Sequence, residues 1–336
     1  MKRILEIREK AKKEKRKVVL PEGDDPRVVK GAAFAAREGI ADVYLLGGQK
    51  DIEKLAGETG VSLEGVNIID PVTHDKKQDI VNTFYEIRKN KGITPEQAEE
   101  HVMKDYVFYG AAMTRMGLVD GFVAGANHTT SNVARAAIQC LRLDREIGTV
   151  CSSFIMEMND CTFGEEGLFA YGDCAVIPAP SQRQLVGIAI ASSDIFRKLF
   201  GIEPRVAMLS YSTKGSAAAT EESVLAIRNA VEKIKEKRPG LIIDGELQLD
   251  AAIVPEVAKR KCPDSEVAGR ANVLIFPNLD AGNISYKLTQ RLGKARAVGP
   301  VLQGLDKPCS DLSRGCSWED VADVIAITAI RAQGAQ

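Results

Sequence analysis

The chain has 336 residues, 45 basic and 46 acidic, with a formal net charge of -1. That length favours two domains over one core, and the balanced charge removes any global attraction to nucleic acid or an anionic membrane. No run reaches the roughly 18 apolar residues of a membrane span, and the N-terminal stretch lacks the apolar centre of a signal peptide, so a cytoplasmic protein is expected.

Lys17–Leu20 is a short β-prone run, followed by a turn in which Asp25 and Pro26 suit the N-cap and first position of a helix reaching about Gly39. Further strands are expected at 42–46, 66–69, 121–124, 205–209, 241–243, 273–276 and 295–298. The helical stretches between most of them are long enough for crossovers of largely parallel sheets. Thr94 to Gln97 forms a capping box opening a helix expected to run to about Gly117, and Ser317 to Asp320 opens a C-terminal helix in the same way. Thr149–Met158 and Leu168–Ile177 have only a loop between them and read as an antiparallel pair. A domain boundary is expected near Gly148, followed by a β-rich stretch at about 148–177.

The seven cysteines are odd in number and form no Cys-x-x-Cys, and the three histidines are widely spaced. Reduced thiols and no metal site are therefore expected. No Gly-x-Gly-x-x-Gly after a strand and no Gly-x-x-x-x-Gly-Lys-Ser/Thr occurs, so the usual dinucleotide and triphosphate loops are absent. Ser212, Thr213, Lys214, Gly215 and Ser216 follow a strand and precede a helix expected from about Ala217, an arrangement that fits an anion cradle and a Ser/Thr-rich cap equally. His128, Thr129 and Thr130 lie at another strand-to-helix turn, with Arg135 about a turn later, and could hold a phosphoryl group. Asp311-Leu-Ser-Arg-Gly-Cys-Ser-Trp-Glu-Asp320 places a hydroxyl, a guanidinium, a thiol and a carboxylate at a helix start, where Asp320 also reads as a cap.

Taken in order, Leu20-Pro-Glu-Gly-Asp-Asp-Pro-Arg27, Gly125-Ala-Asn-His128, Glu203 to Ser216, Asp244-Gly-Glu-Leu-Gln248, Ala281-Gly-Asn-Ile284, Gly299 to Gly304 and Asp311 to Cys316 resemble the phosphate acetyltransferase family, short form. The resemblance runs from about residue 18 to the C-terminal helix. It implies a homodimer of subunits with two α/β domains, related in fold to isocitrate and isopropylmalate dehydrogenases, the C-terminal segment returning to the first, which gives domain I over 1–147 and 306–336 and domain II over 148–305, with coenzyme A in the interdomain cleft. Its substrates would be coenzyme A, acetyl phosphate and phosphate. Coenzyme A would be a substrate, with no tightly bound cofactor and no metal, nucleic-acid or membrane partner. Ser313, Arg314 and Asp320 match catalytic positions, and Arg88 and Arg135 match substrate-binding arginines. Thr129 stands where the family commonly has serine and keeps the hydroxyl.

The implied chemistry is attack of the coenzyme A thiolate on acetyl phosphate, with Asp320 taking the thiol proton. An ordinary carboxylate acting on an ordinary thiol works uphill by roughly 4–5 pK units, so proton transfer must be coupled to attack or the two groups tuned. Ser313 would donate to developing charge while the arginines neutralise phosphate. The alternatives are an acyl-enzyme on Cys316, a propionyl or butyryl donor, a non-catalytic acetyl-phosphate sensor or scaffold, and a dehydrogenase on the same fold. The last is weakened by the lack of a metal-binding carboxylate cluster.

Overall fold

The computed structural model describes residues 2–218 and 220–334. In chain order the first elements are α1 (Lys2–Lys12), β1 (Lys17–Leu20), α2 (Pro26–Arg37), β2 (Asp42–Leu46), α3 (Gln49–Thr59), β3 (Val66–Ile69) and α4 (Lys77–Arg88). Next come α5 (Pro95–Lys104), α6 (Tyr106–Met116), β4 (Gly121–Ala124), α7 (Thr130–Cys140), β5 (Cys151–Glu157), β6 (Leu168–Gly172), α8 (Gln182–Phe200), β7 (Arg205–Leu209) and α9 (Glu222–Lys237). The chain finishes with β8 (Ile242–Leu247), α10 (Leu249–Ile253), α11 (Pro255–Lys261), β9 (Val273–Ile275), α12 (Leu279–Arg291), β10 (Arg296–Gln303), β11 (Cys309–Asp311) and α13 (Trp318–Ala332).

Two compact units divide the chain: a terminal unit of Leu5–Leu143 with Leu305–Gln336, and a central unit of Met1–Ile4 with Asp144–Gly304. In the terminal unit the strands run parallel in the order β3-β2-β1-β4-β11. Helices on both faces bury them, which is why β1 and β4 read as continuous apolar runs rather than alternating ones. Helix α2 begins where the sequence places it: the Asp25 side chain accepts from the amides of Arg27 and Val28, with Pro26 at the first position. Its face of Val28, Val29, Ala32, Ala33 and Ala35 is buried. Gly31 lets α13 approach, because a Cβ there would lie 2.7 Å from the Val321 side chain.

The central unit orders its strands β10-β5-β6-β9-β7-β8. The pairs β10–β5 and β5–β6 are antiparallel and the remainder parallel. Both β5 and β6 are buried along their whole length, and Phe154, Met156, Phe169 and Tyr171 on them join one core cluster with Leu274 and Phe276.

Three expectations change. The helix expected from Thr94 to Gly117 is two helices, because Asp105 leaves the helical region (φ -135, ψ 100) and its carboxylate caps α6 through the Val107 amide at 3.0 Å. The helix expected from Ala217 starts at Glu222. Cys309–Asp311, only three residues long and without a distinctive pattern, is a strand because it pairs with β4.

Candidate functional site

Three neighbouring strands of the terminal unit, β1, β4 and β11, end beside one another, so the segments that follow them converge. Parallel α/β sheets place their ligands at such carboxyl ends. Glu22, after β1, is 1% exposed. Its Oε2 accepts from the amides of Gly125 and Ala126 (both 2.9 Å) and its Oε1 from those of Asn127 (2.8 Å) and His128 (3.0 Å). The amide nest after β4 therefore already holds an anion, the protein's own carboxylate. Burial would raise the Glu22 pKa, but the His128 hydrogen bond and the amides hold it below the usual range.

His128 Nδ1 lies 2.7 Å from Glu22 and its Nε2 3.6 Å from Asp105, so it links two carboxylates of the fold. The Glu22 hydrogen bond, outweighing burial, raises its pKa. Thr129 caps α7 through the Asn132 amide at 3.3 Å, and Thr130 donates to Asp311 Oδ2 at 2.5 Å. Gly125 (φ 114) has no room for a side chain, since a Cβ would lie 2.1 Å from Asp311 Oδ1. Arg27 then ties the segments together, donating to the carbonyls of Arg314 (2.6 Å), Cys316 (3.3 Å) and Ala126 (2.8 Å) and pairing with Asp25 at 2.7 Å.

The turn between β11 and α13 carries the expected trio. Ser313 and Arg314 are exposed, and Ser313 Oγ accepts from the Gly315 amide at 3.2 Å. The Arg314 guanidinium has no hydrogen bond or ion pair among the described residues. Asp320 is partly exposed: its Oδ2 accepts from the Ser317 amide at 2.8 Å while Ser317 Oγ accepts from the Asp320 amide at 3.2 Å, which leaves Oδ1 open. The capping and chemical readings of Asp320 thus use different oxygens. Cys316, by contrast, is buried, and burial pushes its thiol up to about 11, so it is a poor nucleophile for an acyl-enzyme route.

Arg88, at the last position of α4, and Arg135, on α7, both act by charge on His101. Neither has a hydrogen bond or ion pair among the described residues. His101 stacks on Phe84 (5.4 Å) and meets Phe108 edge-on (4.2 Å); burial first, then the two arginines, lowers its pKa against the pull of Asp105. A cavity of about 430 Å³ opens at the ends of β1 and β2, lined by Pro21, Gly23, Leu46, Asp105, Tyr106 and His128. A larger one, about 620 Å³, lies on α2 beside Phe34 and Trp318.

Ser212 to Ser216 belong to the central unit and do not form an open cradle. Glu246, 1% exposed, fills the loop: it accepts from Ser212 Oγ (2.9 Å), the Gly215 amide (2.9 Å) and Arg228 (2.8 and 3.0 Å). Lys214 spends its charge on Asp244, while Thr213 Oγ1 accepts from the Gln248 amide at 2.9 Å. Burial raises the Glu246 pKa, but Arg228, Gly215 and Ser212 outweigh it and hold the carboxyl at about 2. A depressed carboxylate stabilises the fold above its unfolded value, near 4.5, and loses that contribution as pH falls towards 2. Arg228→Met is accordingly expected to lower the urea midpoint of the central unit most above pH 5, with the deficit shrinking as pH falls; a deficit independent of pH would reject the pairing.

Among the described residues no helix is long and apolar enough to cross a membrane, and no group of three or more His, Cys, Asp or Glu could hold a metal ion. Residues 3–329 match the family described as phosphate acetyl/butaryl transferase. The chain belongs to this family. Phosphate acetyltransferase of Thermoanaerobacterium thermosaccharolyticum is 51% identical over 98% of this chain and 99% of its own. A phosphotransacetylase crystal structure from Streptococcus pyogenes is 39% identical, covers 98% of both chains and superposes with a TM-score of 0.91. A 4-hydroxythreonine-4-phosphate dehydrogenase from Klebsiella pneumoniae shares the fold alone, at 14% identity and a TM-score of 0.53 over 96% of this chain and all of its own.

Sequence reasoning did not single out Glu22, Arg27, Asp105, Asp311 or Glu246. Several of them stand inside the segments that carry the family resemblance, yet none carries a local signal for its partner, which lies roughly a hundred residues away for Glu22 and about 287 for Arg27 to Arg314.

Proposed function

We propose that this protein catalyses reversible acetyl transfer between acetyl phosphate and coenzyme A, by direct attack of the coenzyme A thiolate within a ternary complex. The observation that carries the reading is the turn after β11. There an exposed hydroxyl, a guanidinium with no partner among the described residues and a carboxylate whose second oxygen the cap does not use stand in register in a chain of this family. Asp320 takes the thiol proton through Oδ1. Ser313 and Arg314 meet the charge that develops on the acetyl oxygen and the phosphate, a role suited to donors with no other partner. Thr129 and Thr130 offer hydroxyls to the phosphate. The reading includes a cytoplasmic homodimer built from two α/β units of the isocitrate and isopropylmalate dehydrogenase kind, with coenzyme A as substrate rather than resident cofactor.

Thiol consumption from coenzyme A with acetyl phosphate tests it, repeated with propionyl and butyryl phosphate because the family description spans acetyl and longer acyl groups. Higher kcat/KM with butyryl phosphate would move the assignment to the longer acyl group, and no turnover with any donor would sink it. Arg88 and Arg135 contribute phosphate contacts present in both ground and transition states. Arg88→Ala and Arg135→Ala are therefore expected to raise KM by roughly tenfold to a hundredfold with little change in kcat. Unchanged KM for both substrates would reject that role.

A further inference from the structure

Direct transfer needs two proton movements, and the reading above accounts for one. Asp320 removes the thiol proton, but acetyl phosphate that loses its acyl group without gaining a proton must expel phosphate as the trianion, a poor leaving group at neutral pH. A group able to donate at neutral pH is needed near the phosphate.

Glu22 is unsuited to this, being held ionised by four amides and His128. Asp311 has the opposite surroundings. It is 0% exposed, its Oδ1 has no hydrogen-bond partner among the described residues, and its Oδ2 meets the Thr130 hydroxyl at 2.5 Å. Thr130 is partly exposed and is the first residue of α7, so its hydroxyl is the link between a sealed carboxyl and the surface on which a phosphate would rest. Asp311 also stands two residues before Ser313. We propose that Asp311 stores the proton that leaves with phosphate and delivers it through the Thr130 hydroxyl to the ester oxygen of acetyl phosphate.

The step balances. The thiol proton goes to Asp320, the sulfur electron pair forms the carbon–sulfur bond, and the carbon–oxygen bond breaks. With Asp311 protonated, the bond to Thr130 runs the other way, Asp311 donating to Thr130 Oγ1; the released oxygen takes the Thr130 hydroxyl proton, Thr130 takes that of Asp311, and hydrogenphosphate departs. Asp320 then loses its proton to solvent and Asp311 regains one. In the reverse direction Asp311 accepts a proton from hydrogenphosphate and Asp320 returns one to sulfur. Burial, opposed by the Thr130 hydrogen bond and assisted by the charge of Glu22, pushes the Asp311 carboxyl up to about 7, so a substantial fraction of it keeps its proton at neutral pH. The ionisable groups around Asp311 are Glu22 with its partner His128 from the β1 and β4 ends, the Cys309 thiol on β11, and Arg331 of α13, whose guanidinium reaches the Cys309 carbonyl at 2.6 Å.

This inference rests on the acetyl-transfer reading, and the test separates the two. Wild type, Thr130→Val, Thr130→Ser and Asp311→Asn are compared for kcat, KM and the pH dependence of kcat with acetyl phosphate and coenzyme A. Wild type is expected to lose rate as pH rises through about 7, as the donor ionises. Thr130→Val should lower kcat by roughly tenfold to a hundredfold, beyond the rise in KM expected from losing one phosphate contact, and should lose that alkaline limb. Thr130→Ser should restore both. Asp311→Asn should match Thr130→Val; if it does not fold, the two Thr130 variants decide. A wild type that transfers no acetyl group overturns the functional reading itself. An active wild type whose limb persists in Thr130→Val, or whose kcat that variant leaves unchanged, overturns the relay alone.

Discussion

Asp320→Asn is expected to fold like wild type and to lose at least about a hundredfold in kcat. The capping box needs only an oxygen at the third position of α13 to accept the Ser317 amide, now 2.8 Å from Oδ2, and an asparagine carbonyl supplies one. The Ser317 hydroxyl keeps its own bond to the amide of residue 320. What the amide cannot do is take a proton through the oxygen that the cap leaves open, and loss of a general base costs roughly 10²–10⁴ in rate. Thermal denaturation and steady-state kinetics on one preparation check it: an unmoved Tm with collapsed kcat is the expected pair, with coenzyme A affinity little changed. Retention of most of the turnover would make Asp320 a cap and nothing more.

Arg314→Ala should lower kcat by roughly 10²–10³ while leaving stability within about 0.5 kcal/mol of wild type. The small stability effect follows from its surroundings: the side chain is exposed and makes no hydrogen bond or ion pair among the described residues, whereas its backbone carbonyl, which anchors Arg27 at 2.6 Å, survives the substitution. The large kinetic effect follows from the loss of a planar cation that meets charge only as it develops. Arg314→Lys should recover only part of the rate, because an ammonium cannot present the two-pronged donor set of a guanidinium. Ser313→Ala, which removes a single neutral donor, should fall between wild type and Arg314→Ala. Near-normal kcat for Arg314→Ala in saturating substrate would exclude it from the chemistry.

Where the deciding interaction is local, the chain could be read directly. The Asp25-Pro26 start of α2 and the boxes at Thr94 and Ser317 form as their spacing requires, because a side chain and an amide three residues away are brought together by the helix itself. The same holds for β1, β4 and β7, whose apolar runs suit strands buried on both faces, and for β2 and β3, where short β-branched and aliphatic runs mark the strand although β3 is only half-buried at the sheet edge. The Ser313–Arg314–Asp320 turn was legible through its resemblance to a family, since composition and spacing alone also fitted a plain helix start.

The tertiary structure decided what fills the two turns that looked like open anion cradles. Each has amides and small hydroxyls, as a phosphate site would, but Glu22 occupies one and Glu246 the other. It also decided that Asp105 breaks a helix whose residues would otherwise continue it, because the Asp105 carboxylate is drawn to the Val107 amide, Asn132 (2.7 Å) and His128. Asp311 is sealed from water for a similar reason: its three-residue strand is made by strand pairing, with β4 among its neighbours, rather than by any local pattern. A sequence shows which groups can hydrogen-bond. Which partner each finds across a hundred residues or more depends on strand order, and strand order is set by the packing of the whole sheet rather than by any segment within it.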